Sequence, residues 1–358
     1  MPDPNQQQEY DAVLGGQTPI PEGSAILGGI EGVKRLLAKV KQALQEGNPW
    51  RFFECLRTLD GHSYWVPSFA ISPDGQTLVI GNGDKTIKIW HLQTGELIRT
   101  IEGHSLSVKS IAISPDGQTL VSGSRDKTIK IWHLQTGELI RTLGGHSDEV
   151  NCVAISPDGQ TLVSRSLVIG SRDKTIKIWH LQTGELIRTI AGHSSRSFAI
   201  SPDGKTLVSG SDDKTIKIWH LQTGELIRTI AGHSFSVNCV AISPDGQTLV
   251  SGSDDHTIKI WHLQTGELKK TLEGHSLKGH SSYVNCVAIS PDGKTIVSGS
   301  GENPLCLFGS WENGSGPLPL TVFDTTIKVW NLHTGELIRT IEGHSSSINS
   351  VAISPDGK

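Results

Sequence analysis

The stretch that decides the fold is DKTIKIWHLQTGELIRT, Asp84–Thr100, which returns letter for letter from Asp126, Asp173 and Asp213. Near-copies start at Asp255 (DHTIKIWHLQTGELKKT) and at Asp324 (DTTIKVWNLHTGELIRT). Working outward, Gly-His pairs end at His62, His104, His146, His193, His233, His275 and His344, in steps of 42, 42, 47, 40, 42 and 69 residues. Tryptophans 90, 132, 179, 219, 261 and 330 keep the same rhythm. Self-similarity at such a period marks a repeat architecture, in which one unit cannot bury its apolar face alone.

Each unit reads as four short strands. The first, VNCVAIS in the fifth unit, is apolar and β-branched and suits an inner strand buried on both faces. It ends at Ser-Pro-Asp-Gly, where proline sets φ for a turn and glycine accepts positive φ. TLVSGS follows, then a short link containing aspartate, then TIKIWHL, a Gln-Thr-Gly-Glu turn and ELIRTI. Turn residues every 8–12 positions or so are the spacing of an all-β design. Four-stranded antiparallel sheets ranked around an axis let each blade cover the next.

These residues carry a resemblance. The chain resembles the WD-repeat β-propeller family over about residues 53–358, through a Gly-His pair followed roughly 30 residues later by a tryptophan in 40–45-residue units. The aspartate that usually follows the tryptophan is histidine at 91, 133, 180, 220 and 262, and Asn331 in the last unit. The resemblance implies a structural hydrogen-bond chain of histidine, turn aspartate, strand serine and tryptophan: His104, Asp126, Ser122 and Trp132 in unit two. Matching positions are His62, Asp84 and Trp90; His146, Asp173 and Trp179; His193, Asp213 and Trp219; His233, Asp255 and Trp261; and Asp324 with Trp330. Ile80 stands at the serine place of unit one, where the chain is expected to be interrupted. A tandem array behind an N-terminal leader also resembles bacterial-type members of the family.

Composition narrows the function. A formal charge of −4 shows no basic excess, which argues against nucleic acid as the main partner. No stretch reaches the ~18 apolar residues of a membrane span, and the start MPDPNQQQEYDAV has no secretory pattern. Five cysteines, three of them at one repeat position (Cys152, Cys239, Cys286) and none in Cys-x-x-Cys spacing, read as small core residues rather than zinc ligands. A cytoplasmic setting is expected. Thirteen of the fifteen histidines fall at two repeat positions, one per blade, and so are spread out rather than convergent as a metal requires. Gly-Lys-Thr at 204–206 and 293–295 lacks the earlier glycine of a phosphate loop, since Ala199 and Ala288 stand there. No cofactor and no enzymatic activity are expected.

Where near-identical repeats differ, function has room. Differences concentrate after Gly-His-Ser and just before the turn aspartate, two stretches that the resemblance places on one narrow top face. Tyr64 and Trp65 are candidate anchors there, with Phe235, Tyr283 and Phe323 as further aromatics. Arg125, Arg172 and Arg196 would form a basic arc beside Lys109, with Asp148, Glu149, Asp212 and Asp254 as acidic neighbours. The bland reading is drift on a solvated rim.

Several units are irregular. Unit three reads TLVSRSLVIGSRD, so its second strand can start at Thr161 or at Leu167. Unit four is two residues short in its inner strand, SSRSFAIS, which should weaken one blade. Unit six carries a long stretch from Gly301 to Phe323. Residues 1–50 form a leader whose Val33, Leu36, Leu37, Val40 and Leu44 give an amphipathic helix over about 30–46, and 51–358 form the propeller. FFECLRTLDGH (52–62) matches ELIRTIEGH, and the chain closes on INSVAISPDGK, so six full blades and an incomplete seventh are expected. Open strand edges of that kind invite self-association. The favoured function is a non-catalytic protein–protein interaction scaffold; the alternative is a regulatory or sensory segment separated from a signalling kinase or NTPase.

Overall fold

The structure, a computed structural model, describes residues 66–166, 173–273, 282–301, 324–342, 344 and 347–355. Six four-stranded sheets occur there, each with its strands in chain order. Blade one runs Ser68–Ile71, Thr77–Gly81, Ile87–His91 and Leu97–Ile101, every neighbour antiparallel. The other five repeat that plan from inner strands Val108–Ile113, Val150–Ile155, Ser195–Ile200, Val237–Ile242 and Val284–Ile289. This is a six-bladed all-β propeller.

The turns set the register. After the first strand, Ser72 C=O accepts from Gly75 N–H at 2.8 Å, and Gly75 takes a φ of 70° that L side chains rarely adopt. Asp74 Oδ1 accepts from Ser72 Oγ at 2.5 Å and from Gln76 N–H at 3.0 Å, closing the turn with a side chain. Alternation then follows the pleat: in Ile87–His91, Ile87, Ile89 and Trp90 are buried while Lys88 and His91 are half-buried.

Blades are held together by apolar layers shared between neighbours. Val79, Ile87, Ile89 and Ile101 of blade one form one cluster with Val108, Ile111, Leu120, Trp132 and Leu134 of blade two. The tryptophan of each later blade thus covers the sheet before it, as Trp179, Trp219, Trp261 and Trp330 also do. Each fully buried aliphatic in such a layer stabilises by about 1.5–3 kcal/mol. Close approach demands glycine at the end of the second strand: a Cβ on Gly81 would sit 2.8 Å from Val108 Cγ1.

The irregular units resolve differently. In unit three the strand is Thr161–Ser166, paired with Val150–Ile155, so the first of the two registers is taken and Ser164 fills the serine place. Arg165 consequently occupies the glycine position. In unit four the shortening starts the strand at Ser195, which stands where valine opens the inner strands of blades two, three, five and six.

Some expectations lie outside the described residues: the leader with its helix at 30–46, segment 52–62, and the 302–323 stretch. No helix occurs among the described residues. Of the incomplete seventh blade, the described residues 347–355 contain no strand, and its segment 52–62 is among those outside the described residues.

Candidate protein-binding rim

The rim is built on the hydrogen-bond chains beneath it. In blade two, Trp132 Nε1–H donates to Ser122 Oγ at 2.8 Å, and Ser122 Oγ lies 2.7 Å from His104 Nε2. The Asp126 carboxylate facing Nδ1 can only accept, so Nε2 is the ring nitrogen that accepts from the serine hydroxyl. Nδ1–H donates to Asp126 Oδ2 at 2.8 Å. The same four groups meet in blade three (His146, Asp173, Ser164, Trp179) and in blade five (His233, Asp255, Ser251, Trp261). Burial alone would raise the Asp126 carboxyl, but hydrogen bonds from His104 and Thr128 hold it well below the usual carboxylate range. Asp255 is held down in the same way by His233 and Thr257.

Among the described residues, fewer of these bonds occur in the other blades. Blade one has the buried Ile80 in the serine place, and Asp84 Oδ1 accepts from Thr86 N–H at 3.0 Å; His62 lies outside the described residues. In blade six Trp330 Nε1–H reaches Ser298 Oγ at 2.8 Å, and Asp324 holds Thr326. In blade four Trp219 reaches Ser209, but both ring nitrogens of His193 are buried without a hydrogen-bond partner. The short unit is the cause: Ser195 N–H turns back onto His193 C=O at 2.7 Å, holding Nδ1 3.5 Å from Asp213 Oδ2. The four-member chain expected for His193 and Asp213 is therefore open.

Above these chains, the two variable stretches of the sequence come together. Arg125 of blade two donates through Nε to Glu149 Oε1 of blade three at 2.5 Å. Beside them, burial pushes the half-buried Lys109 amine down, with Glu149 opposing; Asp148 is also half-buried. Arg196 of blade four pairs with Asp212, and its Nη1 reaches Asn238 Oδ1 at 2.6 Å and Asp254 Oδ2 at 3.2 Å. Asn238 Nδ2 returns a bond to Asp254 Oδ1 at 2.6 Å. Of the arc of arginines expected from the sequence, Arg125 and Arg196 each sit in an ion-paired cluster, with a carboxylate at hydrogen-bond distance.

Aromatic residues cap the same edge. Phe235 is 58% exposed, with Lys214 Nζ 5.4 Å from its ring centroid. Tyr283 tilts against His256 at 5.4 Å. Tyr64, Trp65, Arg172 and Phe323 lie outside the described residues. Sequence reasoning missed Asn238, Lys214 and His256. The signal for the latter two was their place just after the turn aspartate, where Lys85, Lys127, Lys214 and His256 all take positive φ. Exposed Leu-Ile pairs on the outer strands, such as Leu97 and Ile98, were also passed over because the sequence of every unit but the fifth repeats the pair. Among the described residues no set of three histidines, cysteines or carboxylates could hold a metal ion.

Known proteins decide the family. The WD domain, G-beta repeat family matches residues 53–91, 95–133, 137–180, 184–220, 224–262, 266–331 and 335–358. The chain belongs to this family. This WD-repeat chain is 38% identical over 65 residues to the pre-mRNA-splicing factor prp46 of Emericella nidulans, covering 18% of the chain and 14% of that protein. It is 51% identical over 45 residues to the B-type cell cycle switch protein ccs52A of Medicago truncatula, 12% of the chain and 10% of the relative. Pleiotropic regulator 1 of Homo sapiens is 43% identical over 49 residues, 14% of the chain and 9% of the relative. The matched stretches span only about a tenth of these curated relatives, all eukaryotic.

Proposed function

We propose that the chain is a non-catalytic scaffold that binds other proteins along the edge carrying its Gly-His and turn-aspartate stretches. One observation carries this reading. Residues that differ between otherwise near-identical blades converge there, in the Arg125–Glu149 and Arg196–Asp212–Asn238–Asp254 clusters beside Phe235. The matched relatives, named as a splicing factor, a cell cycle switch protein and a regulator, agree with a binding role. Arginine and aromatic side chains on a rim are what interfaces favour.

The test is capture of binding proteins by the wild-type chain against Arg125→Ala, Phe235→Ala and the outer-strand control Ile140→Ser. Rim variants should lose at least tenfold in affinity while the control keeps it. Rim variants that bind every partner as the wild type does would overturn the reading. No observation favours the signalling-segment alternative.

Finer elements of the reading belong here too. A cytoplasmic setting and the absence of nucleic-acid or membrane-spanning partners are proposed on composition, and a bacterial-type array behind a leader at 1–50 on resemblance alone. A seventh unit is proposed as well. Ile348 N–H donates to Ser300 C=O at 3.1 Å, as Val108 N–H does to Asn82 C=O at 3.1 Å. Ile348 also lies against Gly299 as Val108 lies against Gly81, which supports residues 347–352 taking an inner-strand place. Self-association through that unit predicts a mass that rises with concentration in light scattering; a constant monomer mass contradicts it.

A further inference from the structure

One joint between blades is unlike the rest. In five blades a glycine near the end of the second strand (Gly81, Gly123, Gly210, Gly252, Gly299) receives the first inner residue of the following unit: Val108, Val150, Val237, Val284 and Ile348. In blade three that glycine is Arg165, and the residue facing it is Ser195. A large side chain in the seat of a hydrogen atom is matched by a small one in the seat of valine. Arg165 is 7% exposed, donates through Nη1 to Ser195 C=O, and its Nε is buried without a partner. No described carboxylate lies within ion-pair distance of it; Asp212 and Asp254 are engaged by Arg196. A guanidinium stays protonated at any ordinary pH, so its charge is buried with no described carboxylate in direct contact and only the longer-range attraction of Asp212, a costly arrangement.

Other bonds at this joint are also weakened. At three other joints the inner strand is tied by a backbone N–H donating to a serine hydroxyl of the blade before: Ile111 to Ser68 at 3.2 Å, Val153 to Ser110 at 3.0 Å, Val240 to Ser197 at 3.3 Å; at the joint of blades five and six the place is taken by Cys239. The matching residue facing Phe198 is Cys152, whose thiol is a weaker acceptor. Val150–Ile155 and Ser195–Ile200 meet over much less of their length than neighbouring inner strands do. Just beyond the joint, neither ring nitrogen of His193 makes a hydrogen bond, although Asp213 Oδ2 lies 3.5 Å from Nδ1, and the Asp213 side chain is 43% exposed against 7% for Asp126 and 6% for Asp255.

We infer that the joint between blades three and four is the opening point of the propeller, where the two inner strands part to hydrate Arg165 while the other described joints stay shut. Opening exchanges the apolar contact of Val163, Ile176, Phe198 and Leu207 for solvation of one charge. It also splits the proposed rim in two. The Arg125–Glu149 pair stays with blades two and three, and the Arg196 cluster moves with blades four and five.

Near-identical repeats supply internal controls for the test, hydrogen–deuterium exchange on the full chain. Inner-strand peptides differ in sequence, so Ser195–Ile200 can be followed beside Val108–Ile113 and Val237–Ile242. After correction for intrinsic rates, amides of Ser195–Ile200, Phe198 above all, should exchange at least tenfold faster than those of the two controls. Equal rates in the three strands would overturn the inference, and this comparison needs no variant. The double variant Arg165→Gly, Ser195→Val rebuilds the joint on the plan of its neighbours. It should slow exchange at 195–200 to within threefold of 237–242; a folded double variant that exchanges as fast as the wild type would also overturn it.

Discussion

Ser122 and Ser209 hold the same place in two blades and carry different loads. Ser122 Oγ joins Trp132 Nε1 and His104 Nε2, whereas Ser209 Oγ receives Trp219 without reaching His193. Leaving a buried polar group unsatisfied costs about 1–3 kcal/mol, so Ser122→Ala should destabilise by about 2–4 kcal/mol and Ser209→Ala by about 1–2. Urea unfolding of the two variants checks this; equal losses would mean that the histidine bond contributes nothing. The same chains set the response to acid. Burial lowers the His146 and His193 imidazoles, with Asp173 opposing in the first case and Lys217 assisting in the second. The unfolded chain therefore takes up protons first, and stability should begin to fall below about pH 6.5. Asp126 and Asp255 have folded values depressed below the ordinary carboxylate range. Their contribution is fully present above about pH 3.9 and is lost as pH falls from there toward those folded values. Acid unfolding followed by circular dichroism should show two stages, with the first reduced in His193→Gln. A single step near pH 4, unchanged in that variant, would contradict the assignment.

At the scale of the element, the glycine of each second strand and the valine of the next inner strand form one unit of fit. Gly252 and Val284 stand in blades five and six as Arg165 and Ser195 do in blades three and four. Gly252→Arg alone places a guanidinium against Val284 and should destabilise by more than about 3 kcal/mol through overpacking and charge burial. Adding Val284→Ser should recover part of that loss in a thermal melt. No recovery would mean that Arg165 is accommodated by something other than Ser195. Strand boundaries and turns were legible in the sequence because five copies of TIKIW, one of TIKVW and their turns superimpose. The Arg165–Ser195 match was not, since the two residues sit in different units and are joined only by the packing of one blade on another. Unit three illustrates the limit: Thr161 and Leu167 were equal starts until the bonds of Ser164 to His146 and Trp179 favoured the first.

For the whole molecule, the sequence pointed to the edge where variation gathers but not to its charge balance. Arg125 and Arg196 were read as a basic arc with acidic neighbours, and they are paired instead, Arg125 with Glu149 of the next blade and Arg196 with Asp212 of its own blade and Asp254 of the next. Pairing across a joint is a tertiary fact, and Asn238, which joins Arg196 to Asp254, carries no mark in the repeat. A largely neutralised rim with an exposed Phe235 should bind with modest salt dependence, since its charges are already paired. The most direct measurement is hydrogen–deuterium exchange of the chain alone and in complex with a protein captured by it. A scaffold acting through this rim predicts protection at 105–109, 125–128, 147–151, 212–215, 234–238 and 254–257, with the outer strands 97–101 and 139–143 unchanged. Protection confined to the outer strands, with the rim exchanging as in the free chain, would contradict the account.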